Sequence, residues 1–327
     1  MSAEPDQAPD TVHPRENFAF VGHGDAEAAL AAALSGGRMH HAWLLTGPRR
    51  LGKATLAYRF ARAALGANPI GPRPLDVDPN HPAARKIAQR AHPDLFLLRR
   101  GLNERTGKPR SEITVEDARA LGQFFSMAPA EGGMRVAIID AVDELNRNAA
   151  NAILKTLEEP PPRAVLILVC HAPGAALATI RSRCRKLALR PLSDAQVAEA
   201  SGGASDALIR LAKGRPGLAI ALKAQGGEDM AKGLADALAA LPSKGASAVL
   251  PVLIERAGGE DRLALTLEIV GDWVRARALS DEKGSHWANA WSALEELRQE
   301  ADGLDMDSGH ALARAAGVLD RAALGRS

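Results

Sequence analysis

His41-Ala42-Trp43-Leu44-Leu45-Thr46-Gly47-Pro48-Arg49-Arg50-Leu51-Gly52-Lys53-Ala54-Thr55-Leu56 is the stretch on which the fold turns. Its first half is an apolar run of strand length. Residues 47–53 fit G-x-x-x-x-G-K, and Lys53 to Leu65 places Leu56, Phe60, Ala63 and Ala64 at roughly helical spacing. A strand, a glycine loop and a helix in this order let backbone N–H groups approach phosphates at the positive end of the helix, with the lysine reaching the terminal phosphates. Placement carries more weight than pattern, because a glycine-containing turn with a surface lysine would match the same seven letters.

To the N-terminal side, Asp25 to Leu34 reads as a helix stopped by Ser35-Gly36-Gly37. Residues 1–15 are polar and proline-rich and are expected to form a mobile tail. To the C-terminal side, Ala67 to Pro82 is proline-rich and reads as an irregular connection. Asp94 to Leu98 is the next strand, followed by a basic loop from Arg99 to Arg110. Thr114 with Asp117 forms a capping signature for a helix to about Ser126. Arg135 to Asp140 reads as a strand, Ala149 to Glu159 as a helix stopped by Pro160-Pro161-Pro162, Ala164 to Cys170 as a strand, and Lys186 to Leu189 as a short last one. Strands alternating with helices imply a parallel sheet covered on both faces. That unit ends near Pro191. From Ser193 onward Ala and Leu recur, glycine pairs punctuate, and the pattern is almost wholly helical.

Composition agrees. The chain has 327 residues, 46% apolar and 24% charged, enough for two or three domains. Aromatics are only 3%, which favours helices and helix-covered sheets over an all-β sandwich. A balance of 41 Lys+Arg against 39 Asp+Glu excludes a histone-like binder. Cys170 and Cys184 are too few for a disulfide framework or a four-cysteine zinc site, so a reducing cytoplasm is expected. No apolar run approaches the roughly 18–20 residues that span a membrane, and the start has no basic-then-apolar order of a signal peptide.

Three groups of residues could carry chemistry. Gly47, Gly52 and Lys53 form the phosphate cradle, but the next position, where a hydroxyl would ligate Mg²⁺, is Ala54. Thr55 comes one step late, about 100° round the helix. Asp140 ends an apolar strand, where an acid could hold a metal through water, yet the residue beside it is Ala141. Asp143 and Glu144 read as solvated acids near a helix start. The third group is Ile180-Arg181-Ser182-Arg183-Cys184-Arg185-Lys186, which by itself reads as readily as a solvated basic face.

Taken together with Asn148-Ala149-Ala150-Asn151-Ala152-Ile153-Leu154-Lys155-Thr156-Leu157-Glu158-Glu159-Pro160-Pro161, these pieces resemble the clamp-loader subunits of bacterial DNA polymerase III, members of the AAA+ class. The resemblance is strong over residues 16–192. It implies an AAA+ α/β domain over 16–192, a small helical lid over 193–226 and an all-α collar over 227–327 that assembles a ring of five subunits. The implied partners are motor-type ATPase subunits and the delta subunit, the sliding clamp and primed DNA, with no membrane. The arginine of Ser182-Arg183-Cys184 is implied to act in trans, as a finger on the ATP site of the neighbouring subunit. Arg215-Pro216-Gly217 resembles the lid arginine of the family's ATPases.

The departures from the family pattern are as telling. Residues 67–93 hold no cysteine, so no zinc is expected where the family often has a four-cysteine module. Ala54 and Ala141 remove two catalytic functions from one site. The expectation is a subunit of the polymerase holoenzyme with no catalytic activity of its own, requiring no cofactor, its ATP or ADP site (Gly47, Gly52, Lys53, Thr55, Asp140) degenerate. The alternatives are an active AAA+ motor subunit, against which Ala54 and Ala141 speak, and a P-loop kinase, in which the helical second half and Ser182-Arg183-Cys184 would have no task.

Overall fold

The computed structural model describes residues 11–37, 39–105, 107, 109–174, 176–225, 227–228, 232–233, 238–239, 260–280, 285–303 and 307–325. Residues 1–10 of the expected tail and most of 229–259 lie outside them. The end of that tail is packed: His13 is buried, and Arg15 Nε donates to the Ala88 carbonyl at 3.0 Å. The chain divides into two compact units, one of residues 1–101, 112–204 and 212–221, the other of residues 102–111, 205–211 and 222–327.

The first unit is built on a parallel sheet of β1 (Ala42–Thr46), β2 (Leu95–Arg99), β3 (Arg135–Asp140), β4 (Ala164–Cys170) and β5 (Arg185–Ala188), in the spatial order β2-β3-β4-β1-β5. Its helices are α1 (Gly24–Ser35), α2 (Lys53–Ala64), α3 (Pro82–Ala88), α4 (Val115–Ser126), α5 (Arg147–Glu158), α6 (Ala178–Arg183) and α7 (Asp194–Ala200). The steps β2 to β3, β3 to β4 and β4 to β5 run one way along the sheet, and β1 to β2 runs the other. Right-handed crossovers therefore put α4, α5 and α6 on one face and α2 and α3 on the opposite face.

The side chains confirm this by alternation. Ala42, Leu44, Ala137, Ile139, Leu166 and Leu168 pack with α4, α5 and α6, while Trp43, Leu45, Val136, Ile138, Val165 and Ile167 pack with α1 and α2. Burial on both faces explains why β1 and β4 read as continuous apolar runs.

Local signals account for several boundaries. Thr114 and Asp117 form the capping box of α4, and Ser193 and Gln196 form that of α7. Two helices escaped the sequence reading. The short α3 begins at the last proline of the irregular connection, and α6 occupies what read as a basic turn. At six and seven residues, neither is long enough to show a period.

The second unit holds most of α8 (Asp206–Ala212) and the end of α9 (Pro216–Ala224), then α10 (Glu260–Ser280), α11 (Ser285–Gly303) and α12 (Ser308–Ala323). α10, α11 and α12 pack together through Leu267, Val270, Val274, Leu294, Leu297, Leu312 and Leu319, with Trp273 edge-on to Trp287. Among the described residues no helix is long and apolar enough to cross a membrane.

Candidate functional site

The parallel register brings the ends of the strands to one edge. Thr46 lies beside Cys170, Asp140 beside Val169, and Arg99 beside Asp140. In open parallel sheets the ligand crevice lies outside these carboxyl ends. The 47–53 loop leaves β1 here and enters α2, with Gly47 at φ 145° and Gly52 in the left-handed region at φ 89°. A Cβ on Gly47 would stand 2.5 Å from the Leu189 carbonyl oxygen, just past β5. Gly47→Ala should therefore cost about 1–3 kcal/mol of strain, with the steric clash added. The loss should exceed that for Gly132→Ala, because Gly132 also has positive φ but nothing within 4 Å of its would-be Cβ. Denaturant titration of the full-length variants compares the two.

The loop's own groups are turned inward. Lys53 is 2% exposed, and its Nζ donates to the carbonyls of Gly47 at 2.6 Å and Pro48 at 2.5 Å. Burial, reinforced by the charge of Arg49, lowers its pKa to about 7. Arg49 pairs with Glu144 at 2.9 Å, and Arg100 reaches the other oxygen of the same carboxylate at 3.1 Å. The Arg50 carbonyl accepts from the N–H of Gly217 at 3.0 Å, and a Cβ on Gly217 would stand 3.1 Å from that oxygen. The glycine after Pro216 is what lets the first turn of α9 rest on the loop. Arg215 is buried beside it and donates from Nε to the Ala212 carbonyl at 3.2 Å.

The reading of Asp143 and Glu144 as solvated acids is corrected. A 3-10 turn over Val142–Glu144 folds both inward. Asp143 accepts from the backbone N–H groups of His171 at 2.9 Å and Ala172 at 3.0 Å, pinning the chain just after β4. Glu144 is the carboxylate held by Arg49 and Arg100. Cys170, at the end of β4, is fully buried with its pKa pushed to about 12 by burial and then by Asp143, and neither cysteine is disulfide-bonded.

The loop pattern implies Mg²⁺–ATP, and the residues do not fit the metal half of that ligand. Ala54 has no oxygen, Thr55 is 8% exposed one step round α2, and Ala141 sits where a second acid would stand. Burial, then the charge of Glu144, raises Asp140 to about 7, so near neutrality it is a weaker ligand than an ordinary carboxylate.

Gly47, Gly52, Lys53, Thr55 and Asp140 thus meet at one edge, while Arg183 belongs to a different surface. It is the last residue of α6, on the α4–α6 face of the sheet. Ile180 is buried in that face's core and Cys184 packs against it, its pKa pushed to about 12 by burial. These two anchors bracket the arginine, which remains about one-third exposed. Ser182 Oγ donates to the Thr179 carbonyl at 3.0 Å. Arg183 Nη1 donates to the same carbonyl at 2.9 Å, and Nη2 pairs with Glu158 at 2.7 Å.

The sequence carries a signal for Glu158 as well. Glu158 and Glu159 stand at the C-terminal end of α5, where the helix dipole disfavours a carboxylate. An acid in that position points to a compensating cation.

A parallel sheet in this order, with a glycine loop leading into α2 and an acid ending β3, defines a P-loop α/β domain of the AAA+ class. Residues 22–193 match the family model described as DNA polymerase III, delta subunit, and the chain belongs to that family. The DNA polymerase III subunit delta' of Pseudomonas aeruginosa is 38% identical over 48% of this chain and 45% of its own length. The delta' subunit of Escherichia coli is 31% identical over 59% of this chain and 57% of its own. The tau subunit of Escherichia coli is 36% identical over 54% of this chain and 26% of its own. The chain thus covers between about a quarter and somewhat over half of these relatives.

Proposed function

We propose that the chain is a non-hydrolysing subunit of a DNA polymerase III clamp loader. It would join motor-type ATPase subunits and a delta subunit in a ring that places a sliding clamp on primed DNA. The observation carrying this reading is the division of labour between two surfaces. At the strand edge the cations of the 47–53 loop are engaged within the chain and the metal-binding half is missing. On the α4–α6 face, an arginine with part of its surface exposed stands between the buried Ile180 and the partly buried Cys184. A guanidinium offered to an adjacent subunit neutralises charge on the γ-phosphate there, so that hydrolysis depends on assembly. The helices after residue 227 would supply most of the assembly surface.

The purified chain should have no ATP turnover of its own. A steady-state phosphate-release assay with the chain alone checks this. Turnover near one per second that disappears in Lys53→Ala would instead establish the motor-type alternative.

A further inference from the structure

The most distinctive stretch of the sequence is α5, which ends in Thr156-Leu157-Glu158-Glu159 before three prolines. We infer that Glu158 is a positioning residue for Arg183, holding the guanidinium in the direction in which it meets the neighbouring subunit's nucleotide.

Four observations carry the inference. First, Leu157 and Ile153 are buried in the core beneath α5, which fixes the rotation of the helix and leaves Glu158 on its outer side. Second, the prolines end the helix at that residue, so Glu158 occupies the terminal turn beside α6 rather than the middle of a longer face. Third, Glu158 Oε1 lies 2.7 Å from Arg183 Nη2 while the Thr179 carbonyl takes Nη1 at 2.9 Å, so the guanidinium plane is gripped from two sides. A single contact would leave it free to rotate. Fourth, a guanidinium has five N–H donors. The bonds to Thr179, Ser182 and Glu158 engage at most three of them, leaving two to meet an incoming phosphate.

The pair is therefore a brace and not a block. It also meets the electrostatic demand of its place, since a carboxylate at a helix C-terminus is stabilised by the cation beside it. An arginine side chain held by only one turn of α6 would spread over many rotamers, and each must be excluded when a neighbour binds.

The inference rests on the proposed arginine-finger role, and the experiment separates the two. Glu158→Ala, Glu158→Gln, Arg183→Ala and the double variant Glu158→Ala/Arg183→Ala are each assembled into a reconstituted clamp loader. Assembly is verified by gel filtration, and kcat and KM for ATP are measured with clamp and primed DNA present. At the site that Arg183 serves, resolved as a fast phase in single-turnover hydrolysis, Glu158→Ala should lower the rate about threefold to tenfold, the scale of releasing one rotamer-rich side chain, with KM and assembly unchanged. Glu158→Gln, which keeps an acceptor oxygen, should retain part of the lost rate. In the Arg183→Ala background the Glu158 change should have no further effect. A wild-type rate at that site for Glu158→Ala beside a slowed Arg183→Ala complex would overturn the positioning role and leave the finger standing. So would a fall confined to KM or assembly, or an effect that persists without Arg183. An unaffected Arg183→Ala complex would overturn the finger itself and the inference with it.

Discussion

Replacing Arg183 by alanine should leave the chain folded and the ring assembled while the ATP turnover of the reconstituted clamp loader falls. The fold should survive because α6 is anchored by Ile180, buried in the α4–α6 core, and by the following Cys184, partly buried against it, whereas Arg183 is about one-third exposed. Its pairing with Glu158, itself about half exposed, contributes little to stability at such a solvated position. The catalytic loss is of another order. Removing an arginine finger costs about 10³-fold or more at the site it serves. Other sites in the ring would keep theirs, so the bulk rate would fall by the share of flux that passes through the affected one. Single-turnover hydrolysis resolves that share as a missing fast phase. Arg183→Lys should rescue poorly. An ammonium keeps the charge but lacks the planar fork, and it cannot bond Thr179 and Glu158 while still presenting two donors. Normal clamp loading by an assembled Arg183→Ala complex would reduce Ser182-Arg183-Cys184 to a solvated basic turn.

What could be read in the residues beforehand, and what could not, follows from how far each signal travels along the chain. The span of β3, Arg135–Asp140, and that of β4, Ala164–Cys170, were legible because burial on both faces leaves an unbroken apolar run. The start of α4 was legible because Thr114 and Asp117 settle it within three residues. The missing hydroxyl and the missing second acid were legible because Ala54 and Ala141 stand at those positions in the sequence itself.

Pairings between distant residues were not legible. Glu144 and Arg49 are 95 positions apart, and neither neighbourhood names the other. Seen locally, Glu144 is an acid at the start of a helix. Only the strand order, with β3 and β1 both ending at one edge, makes it the counter-ion of a loop arginine. The same holds for Arg183, whose basic surroundings match a solvated face until α6 is set against the end of α5. Charges are the least local residues in a fold: their types are visible in the sequence and their partners are chosen by topology.

The largest loss of stability should come from Glu27, which the sequence presents merely as one of two acids on α1, with Asp25. It is fully buried. One of its oxygens accepts from Arg59 Nε at 3.0 Å and Nη2 at 2.6 Å, and the other accepts from Arg73 Nε at 2.7 Å. Arg59 continues to Asp76 at 2.5 Å and to the Phe18 carbonyl at 2.6 Å, and Arg73 to the Gly22 carbonyl at 2.7 Å. This one carboxylate thereby joins α1, α2, the segment before α1 and the proline-rich connection after α2. No zinc is expected in that connection, and the ion network ties it down.

Glu27→Gln keeps the shape but leaves Arg59, 3% exposed, with a buried charge and only Asp76 to answer it. Breaking a buried ion pair from one side typically costs about 3–5 kcal/mol. The chain has two compact units, so one melting temperature would blur the result. Amide hydrogen exchange on the full-length protein should instead show protection lost in α1 and α2, while α10 to α12 keep theirs. Protection in α1 unchanged to within about 1 kcal/mol would mean that solvent reaches the network and screens it.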